Sequence, residues 1–195
     1  MPLSDCLDAV PATVIASGRR DDLLVRLMRD GEAEAVGALA RGAYAGDFTL
    51  SAGYLAEIEA VAERSREHCV WVATDARTGE ILGTVTTPED GRTMSPVASR
   101  GEMDFRFLGV AGSARGRGVG EALVRHALAL AASRGIRRVV LNTGPQMRSA
   151  QRLYERLGFE RLHERERMVD LPDGTSFLLM AYGRDVDAAS DRTSF

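Results

Sequence analysis

Between Val110 and Gly120 the chain reads Val-Ala-Gly-Ser-Ala-Arg-Gly-Arg-Gly-Val-Gly. Consecutive backbone N–H groups with little side-chain obstruction, at the mouth of a helix, suit a phosphate or diphosphate. Glycine admits close backbone approach, and the first turn of a helix has unpaired donors and the positive end of the dipole. Arg115 and Arg117 would add charge to such a seat made by Gly116, Gly118, Val119 and Gly120. The same string is also what a flexible glycine-rich connector looks like. It is not the dinucleotide fingerprint, because after Gly116 and Gly118 the third glycine would fall at Glu121. All 25 basic residues are arginine. Without lysine there is neither a Walker A loop nor a Schiff-base site for pyridoxal phosphate.

The elements that must position this loop follow from periodicity. Met103 to Val110 reads as a strand, with Gly109 marking a bulge or a close approach. Gly118 to about Arg134 reads as a helix whose inner face carries Val119, Leu123, Ala127 and Leu130. Arg138 to Asn142 is the next strand, and Arg148 to Leu157 a short helix. Upstream, Leu23, Val25 and Leu27 suggest a first core strand, Glu32 to Gly42 a helix, and Leu55 to Arg66 a second helix. Val70 to Ala73 and Ile81 to Thr86 form a hairpin. A last hairpin spans Glu160 to Asp170 and Ser176 to Tyr182, around Pro172-Asp173-Gly174. The order is β-α-α-β-β-β-α-β-α-β-β. Residues 1–20 read as an extension, 21–183 as one domain and 184–195 as a polar tail.

Composition bounds the function. With 195 residues, 45% hydrophobic and 27% charged, the chain is an ordinary globular domain. A net charge of -3 gives no basic field for nucleic acid. No apolar run reaches the length of a membrane span, and Asp5 and Asp8 stand where a signal peptide would be basic, so a cytoplasmic chain without membrane contact is expected. Two cysteines, Cys6 and Cys69, are too few for a disulfide framework, and no Cys/His spacing suggests a metal.

Two segments resemble the GNAT superfamily of acyl-CoA N-acyltransferases. Arg115 to Gly120 matches its Gln/Arg-x-x-Gly-x-Gly/Ala loop. Ala150-Gln151-Arg152-Leu153-Tyr154-Glu155-Arg156-Leu157-Gly158-Phe159 is similar to its Ala-x-x-Leu-Tyr-x-x-x-Gly-Phe helix. The resemblance implies an α/β (α+β mixed) fold: a mostly antiparallel mixed sheet of about seven strands, splayed at the centre and flanked by about four helices. It implies acetyl-CoA as cosubstrate, no metal, and transfer of an acetyl group to a primary amine by direct attack. The pantetheine arm would pair with backbone at Leu108, Gly109 and Val110, with the Val110 N–H polarising the thioester carbonyl. Tyr154 matches the family's proton donor to the departing thiolate. The family often has Asn where Met147 stands, and Ser149 and Asn142 are candidates to replace that contact. Asn142 also reads as a turn residue before Gly144-Pro145. Late hairpins of similar proteins can pair across a homodimer.

A typical alkyl amine is about a thousandth neutral at pH 7, a cost of roughly 4 kcal/mol. Asp104 is the candidate base: period two places it with Arg106, Leu108 and Val110, and its position corresponds to an acidic residue used as base in some relatives. The acceptor side falls to Tyr44 to Tyr54, including Asp47 and Phe48, and to Arg165 to Met180. A CoA-binding sensor or partner module without turnover, and a nucleotide-binding protein using the same loop, are the competing readings.

Overall fold

The structure is a computed structural model of the chain and describes residues 13–16, 22–45, 51–171, 173–187 and 191. Asp47, Phe48 and Pro172 lie outside the described residues. In chain order the elements are β1 (Thr13–Ala16), β2 (Asp22–Leu27), α1 (Ala33–Ala45), α2 (Ala52–Glu59), α3 (Val61–Arg64), β3 (His68–Asp75), β4 (Ile81–Pro88), β5 (Glu102–Asp104) and β6 (Arg106–Val110). They continue as α4 (Val119–Ser133), β7 (Arg138–Thr143), α5 (Arg148–Arg156), β8 (Glu160–Arg161), β9 (Arg167–Asp170) and β10 (Ser176–Asp185).

The strand expected over 103–110 is two strands. β5 runs parallel to β7, with Met103 opposite Val139 and Asp104 opposite Val140. After Asp104 that ladder ends, and β6 pairs only with β4, antiparallel, with Gly83 opposite Val110. The first ladder therefore has the order β1-β2-β3-β4-β6, the second β5-β7-β10-β8, and β9 pairs with β10. This is the expected mixed, mostly antiparallel sheet opened at its centre. The helix expected over 55–66 is also divided, because Ala60 leaves helical geometry at φ -70° and ψ 48°.

The opening has a local cause. Phe107 has a positive φ of 56°, a conformation that costs a bulky L residue steric strain. The register between β4 and β6 slips between Thr84 and Thr86 beside it. The side chains before and after this bulge no longer alternate: Met103 and Phe105 enter the main core, whereas Phe107 packs with Ala40, Tyr44 and Ile58. Arg106 also turns to that second side, where it pairs with Glu57 of α2 at 2.8 Å.

The main core lies between the sheet and α4. Leu123, Ala127 and Leu130 are fully buried together with Val25, Leu82 and Val139. Cys69 is buried in β3, and the other cysteine, Cys6, lies outside the described residues. Among the described residues no helix is long and apolar enough to cross a membrane.

Candidate active site

The loop between β6 and α4 ends in Gly118, which serves as the helix N-cap in the left-handed region at φ 84°. Only glycine takes that conformation at no steric cost, and it brings the chain sharply into the helix. The amide of Ala122 bonds the Gly118 carbonyl at 2.9 Å, so the helical ladder begins there. The N–H groups of Gly116, Gly118, Val119 and Gly120 donate to no group among the described residues. Four such donors stand at the positive end of a 15-residue helix, where negative charge is favoured. Arg115 and Arg117 are turned aside. A terminal nitrogen of Arg115 donates to the Ala43 carbonyl at 3.3 Å, and Arg117 meets Asp75 at 3.3 Å.

The seat opens beside the free edge of β6. The Ala111 amide donates to the Leu82 carbonyl at 2.9 Å, and Gly109 lies opposite Thr84. In an antiparallel ladder the backbone alternates in direction, so Gly109 and Ala111 face β4. The backbone groups of Leu108 and Val110 then point away from β4. Gly109 has a different reason for being glycine than a ligand contact: a Cβ there would lie 3.3 Å from Ala43 Cβ and 3.6 Å from Ala40 Cα. The close approach is that of α1.

Tyr154 lies on α5 in the main core and is only 5% exposed. Its ring lies 6.0 Å from Phe105, 5.8 Å from Phe159 and 6.2 Å from Tyr182. Burial pushes its hydroxyl well above the ordinary tyrosine range. Among the described residues nothing hydrogen-bonds that hydroxyl, whereas the Tyr182 hydroxyl donates to Glu155 at 3.2 Å. Thr143, at the end of β7, has a buried Oγ1 without a described partner. Sequence reasoning missed it, since a threonine ending a strand carries no distinguishing signal. Asn142 donates through Nδ2 to the Met180 carbonyl at 3.2 Å, and Ser149 is exposed in the first turn of α5.

Asp104 does not share a face with Leu108 and Val110, because the bulge at Arg106 and Phe107 reverses the alternation. It is fully buried. One carboxylate oxygen accepts the Met94 amide at 2.8 Å and the other the Ser95 hydroxyl at 2.7 Å. Asp104 thereby ties down the loop that seats Met94 against Tyr44 and Phe107.

That second cluster packs α1 and α2 against Phe107 of β6. Tyr44 and Tyr54 meet edge to face at 6.3 Å, and Tyr54 lies 6.5 Å from Phe107. Met147 packs against the same group, an apolar role for the residue found in place of the family's Asn. Burial raises both tyrosines above their ordinary range, with Tyr54 and Tyr154 adding to the effect on Tyr44. The guanidinium carbons of Arg64 and Arg106 lie 4.1 and 4.5 Å from the Phe107 ring centroid. Desolvation pulls Arg64 down to about 10. A concavity of about 510 Å³ lined by Glu102, Arg137, Arg138, Arg165 and Asp185 lies elsewhere, where β5 and β7 begin. Its carboxylates are taken by Arg165 at 2.6 Å and Arg138 at 2.6 Å.

Residues 34–159 match the model of the acetyltransferase (GNAT) family, and the chain belongs to that family. It is 31% identical over 110 residues to N-acetyltransferase family 8 member 3 of Rattus norvegicus, covering 56% of this chain and 46% of that protein. It is 32% identical over 114 residues to N-acetylaspartate synthetase of Danio rerio, covering 57% of this chain and 36% of that one. The chain thus spans under half the length of these relatives. Its fold is that of yncA from Salmonella typhimurium, solved with its cofactor acetyl-CoA, at a TM-score of 0.58 and 20% identity over 85% of this chain and 94% of that one.

Proposed function

We propose that the chain is an acetyl-CoA-dependent N-acetyltransferase that passes the acetyl group directly to a primary amine. The observation that carries this reading is the set of undonated N–H groups at Gly116, Gly118, Val119 and Gly120, opening onto the unpaired edge of β6. The residues present fit a diphosphate at the first and an extended pantetheine arm at the second. When bound, acetyl-CoA supplies the activated thioester. The Leu108 and Val110 backbones align the arm, and the Val110 N–H stabilises the oxygen that becomes negative as the amine adds. Tyr154 donates a hydrogen bond to the departing sulfur.

Asp104 acts as a positioning group, since both its oxygens already hold the 94–95 turn; the proton of the acceptor ammonium leaves through solvent. Asp104→Asn therefore lowers stability by about 1–3 kcal/mol, the cost of a disrupted buried hydrogen bond. The shape of the pH–rate profile, set by the acceptor's ammonium, is retained. Loss of a limb from that profile would make Asp104 the base instead.

Thiol release from acetyl-CoA over a panel of amines, with a thermal shift on the same protein, tests the function. Acetyl-CoA at 100 times its dissociation constant stabilises by about 2.7 kcal/mol, and turnover depends on the added amine. Stabilisation with no turnover on any amine would leave a CoA-binding module. Stabilisation by ATP in place of acetyl-CoA would leave a nucleotide-binding protein.

A further inference from the structure

Around Phe107 two guanidinium groups, those of Arg64 and Arg106, meet one carboxylate, that of Glu57. Arg106 pairs with Glu57 at 2.8 Å. Arg64 has no carboxylate partner among the described residues. Its Nε donates to the Thr86 hydroxyl at 3.2 Å, and its terminal nitrogens donate to the carbonyls of Glu57 at 2.7 Å and Ile58 at 3.2 Å. A guanidinium has five N–H donors, so these three bonds leave two N–H groups of Arg64 uncommitted. Two cations against one anion, packed over one aromatic ring, leave one positive charge uncompensated in a half-buried setting.

Place and shape agree with the charge. The ring under both guanidinium groups is Phe107, the strained residue of β6 that lies just beyond the end of the β5–β7 ladder. Tyr44, Tyr54, Met94 and Met147 complete an apolar wall around it. The Arg106–Glu57 pair is the accessible part, with the Arg106 side chain 30% exposed and Glu57 46% exposed. A planar guanidinium fork matches a carboxylate in two parallel bonds, and apolar surroundings strengthen them.

We infer that the acceptor is a carboxylate-bearing amine of the free amino-acid type, its carboxylate held by Arg106 and Arg64 over Phe107 and its apolar part against Tyr44, Tyr54 and Met147. The inference rests on the acetyltransferase reading and adds the substrate class. Arg106 is its specificity-determining residue, and Glu57 is the internal anion that the substrate carboxylate competes with.

The test compares phenylalanine, methionine, aspartate and glutamate with their α-carboxamides, in thiol release and in calorimetric binding to the CoA-loaded protein. The expected result is a preference of about 10²-fold in kcat/KM for the best acid over its own carboxamide, because the carboxamide keeps polar atoms but exchanges charge-assisted bidentate bonds for weaker neutral ones. Arg106→Gln reduces that ratio to below about tenfold, because it removes only the charge-assisted share. Glu57→Gln lowers the KM of the acid severalfold. The acetyl-CoA thermal shift verifies that each variant is folded.

Equal use of acids and carboxamides, or a ratio that Arg106→Gln leaves intact, would overturn the inference while the acetyltransferase reading stands. So would failure of every acid to turn over or to bind the CoA-loaded protein while other amines are acetylated. An absent acetyl-CoA thermal shift together with no thiol release on any amine would mean that the underlying reading itself has failed.

Discussion

Replacing Tyr154 with phenylalanine lowers kcat by roughly 10²-fold, the range expected when a positioned proton-bearing group is removed, and leaves acetyl-CoA affinity nearly unchanged. The ring keeps its contacts with Phe105, Phe159 and Tyr182, so the variant folds. Burial raises the Tyr154 hydroxyl above its ordinary range, which disfavours complete loss of its proton. A thiol titrates near 8.5 and an ordinary tyrosine near 10. Complete proton transfer from tyrosine to thiolate therefore runs uphill by about 2 kcal/mol even before burial is counted. On the proposed mechanism Tyr154 is a hydrogen-bond donor that stays neutral, and the thiolate takes its proton from the nitrogen once the C–N bond has formed. No limb of the pH–rate profile below pH 10 then belongs to Tyr154. Tyr182→Phe is the control: its hydroxyl is tied to Glu155, and its loss leaves turnover within about threefold, since that hydroxyl holds no transition-state charge. Full activity in Tyr154→Phe would remove the residue from the mechanism.

The second large effect concerns stability in acid. His126 is fully buried on α4, and its ring lies 4.2 Å from that of Trp71. Neither ring nitrogen has a described partner. Desolvation pulls the imidazole down to about 4. Above pH 6.5 the group is neutral in both folded and unfolded chains and costs nothing by linkage. As pH falls through 6.5 the unfolded chain takes up the proton and the folded chain does not, so stability declines until pH 4. A difference of about 2.5 units corresponds to about 3 kcal/mol. His68 moves in the same direction through burial, so the variant isolates the effect. Denaturant unfolding of His126→Leu shows a flatter pH dependence between 6.5 and 4. It also shows higher stability at pH 7, because two unbonded polar atoms leave the core. An unchanged pH slope in the variant would mean that His126 is solvated in the folded protein.

What was legible in the sequence is local and periodic. The loop Arg115 to Gly120 and the helix pattern Val119, Leu123, Ala127 and Leu130 were visible because glycine spacing and a 3.6-residue period act over short distances. Tyr154 was legible through its neighbours Leu153, Gly158 and Phe159. The bulge was displaced in that reading. It was sought at Gly109, whereas the positive φ falls on Phe107, which propensity disfavours and which only the packing of Ala40, Tyr44 and Ile58 holds in place. Counting by twos from Asp104 to Val110 then assigned the wrong face, because one irregular residue reverses everything beyond it. The pairing of Arg64 and Arg106 over Phe107 joins residues some forty positions apart, and no spacing rule finds it. The burial of His126 is not legible in the sequence, since that of a lone histidine depends on the whole sheet behind it.

The central claim is that the backbone amides at the mouth of α4 hold the diphosphate, and amide NMR of the intact protein tests it most directly. On titration with CoA, the amide resonances of Gly116, Gly118, Val119 and Gly120 move downfield together as their N–H groups acquire a charged acceptor. Pantetheine, which lacks the diphosphate, shifts Leu108 and Val110 and leaves those four in place. CoA binding that leaves the four amides unmoved, or pantetheine moving them equally, would contradict the account.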